Sequence, residues 1–342
     1  MSAWADQEIL DLVCQEKWQE TPDVVSFELV SDSPLSFDFK PGQFANLGFE
    51  MDGKTQYRSY SISSTPSQNK LCFTVKKVAG GKVSQHVVER LKVGDTIQAM
   101  KPQGQFNSID CAVEQKKVLL ISAGCGITPV MSMAKSWLEQ GDIDITFLHV
   151  ARDKAHTIYF SELESLNEQY SQFHLHLLLK DAVGTEYPQG RLNQAWLEQL
   201  IPDLHQRTVF LCGPVSFMQD VQHYLQALQF NMQNFYQESF TPSTQEQPIT
   251  SQTKSQVIVK VPAFGVEVDA PSDSILLEAL ETGKLPIIAA CRSGICGSCK
   301  CQVKQGSVRS TSQETLTSEE IAQGYVLACS AIVESDVDIA LL

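Results

Sequence analysis

The chain predicts a multidomain protein: an antiparallel all-β domain over residues 1–110, an α/β domain built on a parallel sheet over 111–240, and a small α+β domain over 256–342. Three observations carry this reading. Short apolar or alternating runs broken by turn residues fill the first third, the pattern of a sandwich or barrel. Apolar runs then alternate with helical stretches, the pattern of βαβ units. A polar segment with two prolines, residues 241–255, reads as a linker ahead of a last block of hairpin, helix and cysteine-rich loop.

The 342 residues suit two or three domains, and 43% hydrophobic against 19% charged residues permits ordinary globular cores. No stretch stays apolar and uncharged for the ~18 residues of a membrane helix. The first ten residues carry Asp6 and Glu8 and lack the basic and apolar regions of a secretory signal. That leaves no membrane partner expected, and ten cysteines in a chain without such a signal indicate a reducing cytoplasm and metal binding, not bridges. The formal net charge of −14 argues against nucleic acid as a partner and reads as solvated surface. From Lys254 on there are 7 basic and 11 acidic residues, so most of the acidity lies upstream.

In the first block strands are expected at 9–14, 24–30, 43–47, 57–62, 71–78 and 96–100, with a helix at 83–91. Two spots in it bear chemistry. Arg-Ser-Tyr-Ser at 58–61 places Arg58 and Tyr60 on one face of a strand and Ser59 and Ser61 on the other. Guanidinium beside aromatic suits a ligand with a phosphate and a flat ring, although an ordinary strand with a surface arginine has the same composition. Gly-Gly-Lys-Val-Ser at 80–84 runs a glycine turn into a helix start, an anion-binding geometry. Ser84 also suits a plain N-cap.

In the second block, strands at 118–122, 143–150, 175–180 and 208–212 alternate with helices ending at 140 and spanning 160–169, 193–200 and 214–228. Ligands of such sheets sit at the carboxyl ends of the strands. Gly124-Cys-Gly-Ile-Thr-Pro129 there departs from the usual dinucleotide fingerprint, yet its glycines allow a tight turn and Pro129 suits a first helical turn. Leu211-Cys-Gly-Pro214 is a second strand end feeding a helix. No acidic residue follows the second strand in the usual ribose-binding place; Ala151-Arg152-Asp153 stands there.

The last block gives a hairpin at 257–261 and 266–270, a helix at 274–282 with Ser274 as its cap and Gly283 as its stop, a strand at 301–304 and a helix near 318–323. Between helix and strand lies Cys291-Arg-Ser-Gly-Ile-Cys296-Gly-Ser-Cys299, with Cys329 further on. This C-x4-C-x2-C…C spacing is that of a plant-type [2Fe–2S] site held by four thiolates. Ser293, Gly294, Gly297 and Ser298 fill the gaps, and glycine lets the backbone turn its N–H groups inward. Zinc takes a second Cys-x2–4-Cys knuckle, which is missing, and disulfide frameworks belong to small secreted chains. Cys301 is surplus to the spacing.

Taken in order, Arg-Ser-Tyr-Ser, Gly-Lys-Val-Ser, Gly-Cys-Gly-Ile-Thr-Pro, Leu-Cys-Gly-Pro and Glu238-Ser-Phe240 resemble the ferredoxin–NAD(P) reductase family with a C-terminal plant-type ferredoxin domain. The resemblance implies an antiparallel β-barrel for flavin, an α/β domain for NAD(P)H and a β-grasp ferredoxin domain. It implies that Arg58 holds the flavin phosphate, Tyr60 stacks on the ring, Ser61 bonds near N5, and Ser59, Gly81 and Ser84 complete the site. The pyrophosphate contact favours FAD. It further implies that Gly124, Gly126 and Thr128 approach the nicotinamide nucleotide, Cys212 lies beside the hydride site, Phe240 covers the flavin, and Cys291, Cys296, Cys299 and Cys329 bind the cluster. NADH is the expected donor, by family, with NADPH left open. A flavin takes two electrons and releases them singly, as a cluster near about −400 mV requires. Gln-Glu-Thr-Pro-Asp-Val at 19–24 (Gln19 to Val24) and Gly-Tyr-Val-Leu-Ala-Cys-Ser at 324–330 look most like the branch whose acceptor is hybrid-cluster protein. An oxygenase component is the alternative acceptor. A redox sensor without turnover is disfavoured, because Arg58, Tyr60, Ser61, Cys212 and the four cysteines are all present.

Overall fold

The computed structural model describes residues 2–4, 8–33, 35–240, 256–292, 294–313 and 315–341. The residues read as a linker, 241–255, lie outside these. The chain divides into two compact units, Met1–Glu50 with Tyr60–Phe240, and Met51–Ser59 with Thr241–Leu342.

The first block is a six-stranded antiparallel sheet of β1 (Ile9–Thr21), β2 (Val24–Val30), β3 (Phe44–Met51), β4 (Lys54–Ser61), β5 (Leu71–Lys76) and β6 (Thr96–Met100), in the order β4-β3-β6-β1-β2-β5. A bridge between Ile62 and Phe73 brings the two edges together, which removes the unpaired edges of an open sheet. Its interior is apolar, with Leu12, Phe27, Leu29, Leu47, Phe73 and Ile97 fully or almost fully buried. One helix, α1 (Lys82–Glu89), follows β5. Strand β1 runs seven residues past the expected end at Cys14. Its second half is polar, and register shifts at Cys14/Glu16 and Gln19/Thr21 break the alternation that would have betrayed it.

The second block is a parallel sheet of β7 (Lys117–Ala123), β8 (Asp144–Ala151), β9 (Phe173–Leu179), β10 (Thr208–Cys212) and β11 (Phe235–Glu238), ordered β9-β8-β7-β10-β11. Helices α2 (Ile127–Gln140), α3 (Phe160–Gln169), α4 (Gln194–Leu200) and α5 (Val215–Ala227) connect the strands. Val118, Leu120 and Phe210 pack on one face with Met131 and Leu163, while Leu119, Ile121 and Leu211 pack on the other with Leu197 and Val221. Both faces are covered, as a parallel sheet requires. The strand order reverses between β7 and β10, which makes that gap the topological switch point. Arg207, 5% exposed, braces the opposite end: its fork donates to Asp203 (2.7 and 2.9 Å), Asp144 (2.6 Å) and the Val118 carbonyl (3.0 Å).

The last block has a five-stranded mixed sheet of β12 (Gln256–Val261), β13 (Val266–Pro271), β14 (Lys300–Gln305), β16 (Tyr325–Leu327) and β18 (Val337–Leu341), ordered β13-β12-β18-β14-β16. Strands β15 (Val308–Ser310) and β17 (Ala331–Val333) form a separate pair. Helix α6 (Leu276–Thr282) buries Leu276, Leu277 and Leu280 in this domain's core, and a short α7 (Ser318–Ala322) is closed by a Thr317–Glu320 capping box. Ser274 does not cap α6. The helix starts two residues later, because backbone bonds to Val333 draw Asp273 and Ser274 into the sheet side of the turn. No helix among the described residues is long and apolar enough to cross a membrane.

Candidate functional site

The cysteine loop between α6 and β14 turns its backbone onto its own thiols. Cys291 N–H donates to Cys296 Sγ (3.4 Å), Gly294 N–H to Cys329 Sγ (3.1 Å) and Cys329 N–H to Cys299 Sγ (3.4 Å). Gly294 and Gly297 sit at φ +74° and +69°, where side chains are strained. A Cβ on Gly294 would stand 2.6 Å from Ser312 Cβ, and one on Gly297 would stand 3.1 Å from Thr315 Oγ1. Ser312 Oγ holds the Gly294 carbonyl at 2.6 Å, and Ser298 Oγ accepts from Ala290 N–H at 2.9 Å. The thiols also meet one another, Cys291 with Cys296 and with Cys329, and Cys299 with Cys329. The Cys329 thiol is raised by its bonds to Cys291 and Cys299 and by burial, whereas the bond from Cys329 lowers Cys299. Buried thiols that receive backbone N–H bonds, in a cradle a methyl would fill, fit a cluster of thiolate-bound irons. Ser293 lies outside the described residues. Cys301 points elsewhere: it is fully buried in the domain core on β14, and burial and Cys299 push its thiol up to about 12.

Strand β4 carries Arg58, Ser59, Tyr60 and Ser61. Arg58 donates to the Tyr57 carbonyl (2.6 Å), and Tyr60 meets the edge of Phe49 with ring centres 6.4 Å apart. Ser61 is 5% exposed, and its hydroxyl has no hydrogen-bond partner among the described residues. A buried hydroxyl left so costs about 1–3 kcal/mol, and a bound ligand with a polar atom there would remove that cost. Gly81, not Ser84, caps α1. Ser84 is the helix's third residue, and its hydroxyl closes the turn by accepting from Val78 N–H (3.1 Å) and donating to the Gly81 carbonyl (3.0 Å). An anion at this helix start would meet the first-turn N–H donors and not the Ser84 hydroxyl. At the other end Lys17 Nζ donates to the carbonyls of Val87, Val88 and Leu91, each at 2.9 Å, satisfying the C-terminal turn.

The switch point of the parallel sheet brings Gly124, Gly126, Thr128 and Cys212 together. Gly124 takes φ +54° at the end of β7, and the loop feeds α2 directly. Gly126 lies flat against the β10 end, where a Cβ would stand 2.2 Å from the Cys212 carbonyl oxygen. Thr128 is buried and its hydroxyl donates to the Cys125 carbonyl (3.0 Å), so it shapes the loop with its side chain. Cys212 is fully buried in register with Ser122 and Glu238; burial, and then the Glu238 carboxylate, push its thiol well up, leaving a neutral S–H. Cys125 is partly buried, and burial raises it to about 11. Phe240, two residues past β11, is 42% exposed.

Two features have no counterpart in the sequence reading. Ser122 Oγ and His149 Nδ1 bond at 2.8 Å beneath the Gly124 loop, both fully buried. Residues 63–65, just beyond Ser61, bond to α2: Ser132 Oγ donates to the Ser64 carbonyl (2.6 Å), Lys135 Nζ to the Ser63 carbonyl (3.4 Å), and Thr65 Oγ1 to Glu139 (2.7 Å). Tyr159, ahead of α3, bonds Thr74 and Ser63. The run Ile-Ser-Ser-Thr at 62–65 was the only trace of this contact, and by itself it reads as strand end.

Three domain families match the chain: an oxidoreductase FAD-binding domain over residues 11–108, an oxidoreductase NAD-binding domain over 120–223 and a 2Fe-2S iron-sulfur cluster binding domain over 259–334. The glycine betaine monooxygenase reductase subunit of Pseudomonas aeruginosa is 35% identical over 95% of this chain and 93% of its own. The NADH oxidoreductase HCR of Escherichia coli is 34% identical over 94% of each. Phthalate dioxygenase reductase, solved as a modular structure for electron transfer from pyridine nucleotides to [2Fe-2S], shares the fold with a TM-score of 0.65 at 23% identity, covering 97% of this chain and 98% of that one. The chain belongs to the ferredoxin–NAD(P) reductase family, in its branch with a C-terminal [2Fe–2S] ferredoxin domain, as an NAD(P)H-dependent oxidoreductase with FAD and a 2Fe-2S cluster as cofactors.

Proposed function

We propose that this protein carries electrons from NADH through FAD and its cluster to a separate redox protein, a hybrid-cluster protein, in the cytoplasm. The observation that carries the exit route is the cysteine loop, which aims three backbone N–H groups at the sulfurs of Cys296, Cys299 and Cys329. Cys291, Cys296, Cys299 and Cys329 hold the cluster. FAD supplies the exchange between a two-electron donor and a one-electron acceptor. Arg58 grips the flavin phosphate through its fork, with Ser59 beside it, Tyr60 lies on the ring, and the Ser61 hydroxyl takes the polar partner it lacks among the described residues. The Gly81 turn and the first-turn N–H groups through Ser84 meet the pyrophosphate. Gly124, Gly126 and Thr128 shape the loop on which the nicotinamide nucleotide rests, with the neutral Cys212 thiol beside the reacting carbon and Phe240 over the flavin.

The hybrid-cluster acceptor is supported by the motif resemblance at 19–24 and 324–330 and by the Escherichia coli NADH oxidoreductase HCR among the relatives. A second reading, the reductase component of an oxygenase, is favoured by the glycine betaine monooxygenase relatives at 35% identity. An anaerobic titration with NADH and then NADPH, followed by flavin absorbance and cluster EPR, tests the route. Flavin bleaching with NADH and then a reduced [2Fe–2S] signal is expected; bleaching with no cluster signal would overturn the exit. Adding purified hybrid-cluster protein or a Rieske oxygenase component to the reduced enzyme then separates the acceptors by which one is reoxidising.

A further inference from the structure

The buried contact between α2 and the segment after β4 does more than join two domains. Ser132, Lys135 and Glu139 lie at i, i+3 and i+7, one face of α2. That face bonds three successive residues, Ser63, Ser64 and Thr65, which begin two positions beyond Ser61. The first residue of the same helix follows the Gly124–Gly126 turn. The helix thus spans from the loop assigned to the nicotinamide to the strand end assigned to the flavin. Its innermost bond is the driest: Ser132 is 0% exposed and Ser64 1%, and the donor–acceptor distance is 2.6 Å. The Ser64 hydroxyl is itself committed to the barrel, donating to the Lys70 carbonyl at 2.8 Å, so the acceptor cannot drift with the helix. An apolar contact would have served adhesion alone. A directional bond with a fixed partner serves placement.

We infer that Ser132 is a positioning residue for hydride transfer, its bond to the Ser64 carbonyl fixing the nicotinamide loop relative to the flavin strand. This rests on the donor and flavin sites assigned above. In the step concerned, the C–H bond at nicotinamide C4 breaks and an N–H bond forms at flavin N5; both electrons travel with the hydride, leaving the nicotinamide oxidised and the flavin reduced. Such transfers are sensitive to misplacement of about 1 Å, which can cost up to 10²-fold.

The test compares wild type with Ser132→Ala and, as a solvent-exposed break in the same row, Glu139→Ala. Stopped-flow reduction by NADH and by 4-deuterated NADH gives the limiting rate and its isotope effect, and fluorescence titration of the oxidised enzyme with NAD⁺ gives nucleotide affinity. Hydrogen exchange over residues 61–66 and 124–131 reports the strut without turnover. Ser132→Ala is expected to slow the limiting rate by about tenfold, raise the isotope effect and speed exchange in both segments, with FAD content and nucleotide affinity unchanged. Glu139→Ala is expected to act in the same direction and less. Faster exchange with an unchanged limiting rate would overturn the inference, leaving a bond that only holds domains together. If Ser132→Ala does not fold, an unchanged rate in Glu139→Ala with loosened exchange overturns it equally. Wild-type flavin that neither NADH nor NADPH reduces would overturn the donor site itself, and the inference with it.

Discussion

Gly126 is pressed against the backbone of Cys212: a Cβ at 126 would stand 2.2 Å from the Cys212 carbonyl oxygen and 2.6 Å from the Gly213 nitrogen. Neither neighbour is a flexible side chain, so one of the two strand ends must move to admit a methyl. Gly126→Ala should therefore destabilise the domain by about 1–3 kcal/mol, the usual cost of overpacking. It should also weaken reduction by NADH, because both displaced segments border the proposed donor site, and leave FAD and iron content at wild-type levels. Thermal unfolding and a ferricyanide assay with NADH check it; unaltered kinetics would show that the close approach is packing alone.

Much of this arrangement was legible in the chain. Glycines at 124 and 126 and the Cys212-Gly213-Pro214 turn pointed to one strand end, where the fold brings them together, and in the last domain the cysteine spacing pointed to a 2Fe-2S cluster. Their roles needed the fold. Gly126 is glycine for the backbone of β10, Thr128 bonds Cys125, and Ser84 closes a turn. These are local uses that a motif letter does not distinguish from ligand contact. The second half of β1 was hidden because bulges break its period, and with it went Lys17, whose three carbonyl partners lie 70 to 74 residues away. Long-range pairs such as Ser64 with Ser132 leave no periodic signal at all.

The Ser61 hydroxyl has no partner among the described residues, so it is a cost until a ligand meets it. Ser61→Ala should leave the flavin-free protein as stable as wild type or more so, by up to about 1–3 kcal/mol. In the loaded protein it should slow flavin reduction while FAD stays bound through the phosphate-side contacts. Unfolding midpoints with and without FAD, beside stopped-flow reduction, measure both. A loss of stability in the flavin-free protein would mean the hydroxyl has a partner after all.

Cys296 and Cys301 are both buried thiols near the cluster loop, yet they predict opposite outcomes. Cys296→Ser removes a proposed ligand and should abolish the EPR signal and transfer to a protein acceptor, with flavin reduction by NADH intact. Cys301→Ala sits in the domain core and should keep both the signal and the transfer. Its cost should be in stability alone, about 1 kcal/mol for a small buried group. If flavin reduction failed in Cys296→Ser, the cluster would not lie downstream of the flavin.

His149 makes the nucleotide-binding domain acid-sensitive. Burial is the main cause that lowers its pKa from 6.5 to about 4, and its hydrogen bond with Ser122 opposes the shift. The folded state therefore keeps this imidazole neutral where the unfolded chain has begun to protonate it. Between about pH 6.5 and 4 the unfolded state binds the extra proton, so stability rises with pH across that window. The contribution is fully present above about 6.5 and fades as pH falls toward 4, amounting to about 3 kcal/mol at one pKa unit per 1.36 kcal/mol. His149→Gln cannot titrate, and its stability should fall less steeply over this range even if it starts lower at neutral pH. Urea unfolding of both proteins at intervals from pH 7 to pH 5 measures the two slopes, and parallel slopes would place the proton elsewhere. The folded protein takes the same proton only near pH 4, one hydrogen bond from Ser122, so the donor affinity of the folded protein should hold across the window in which its stability falls.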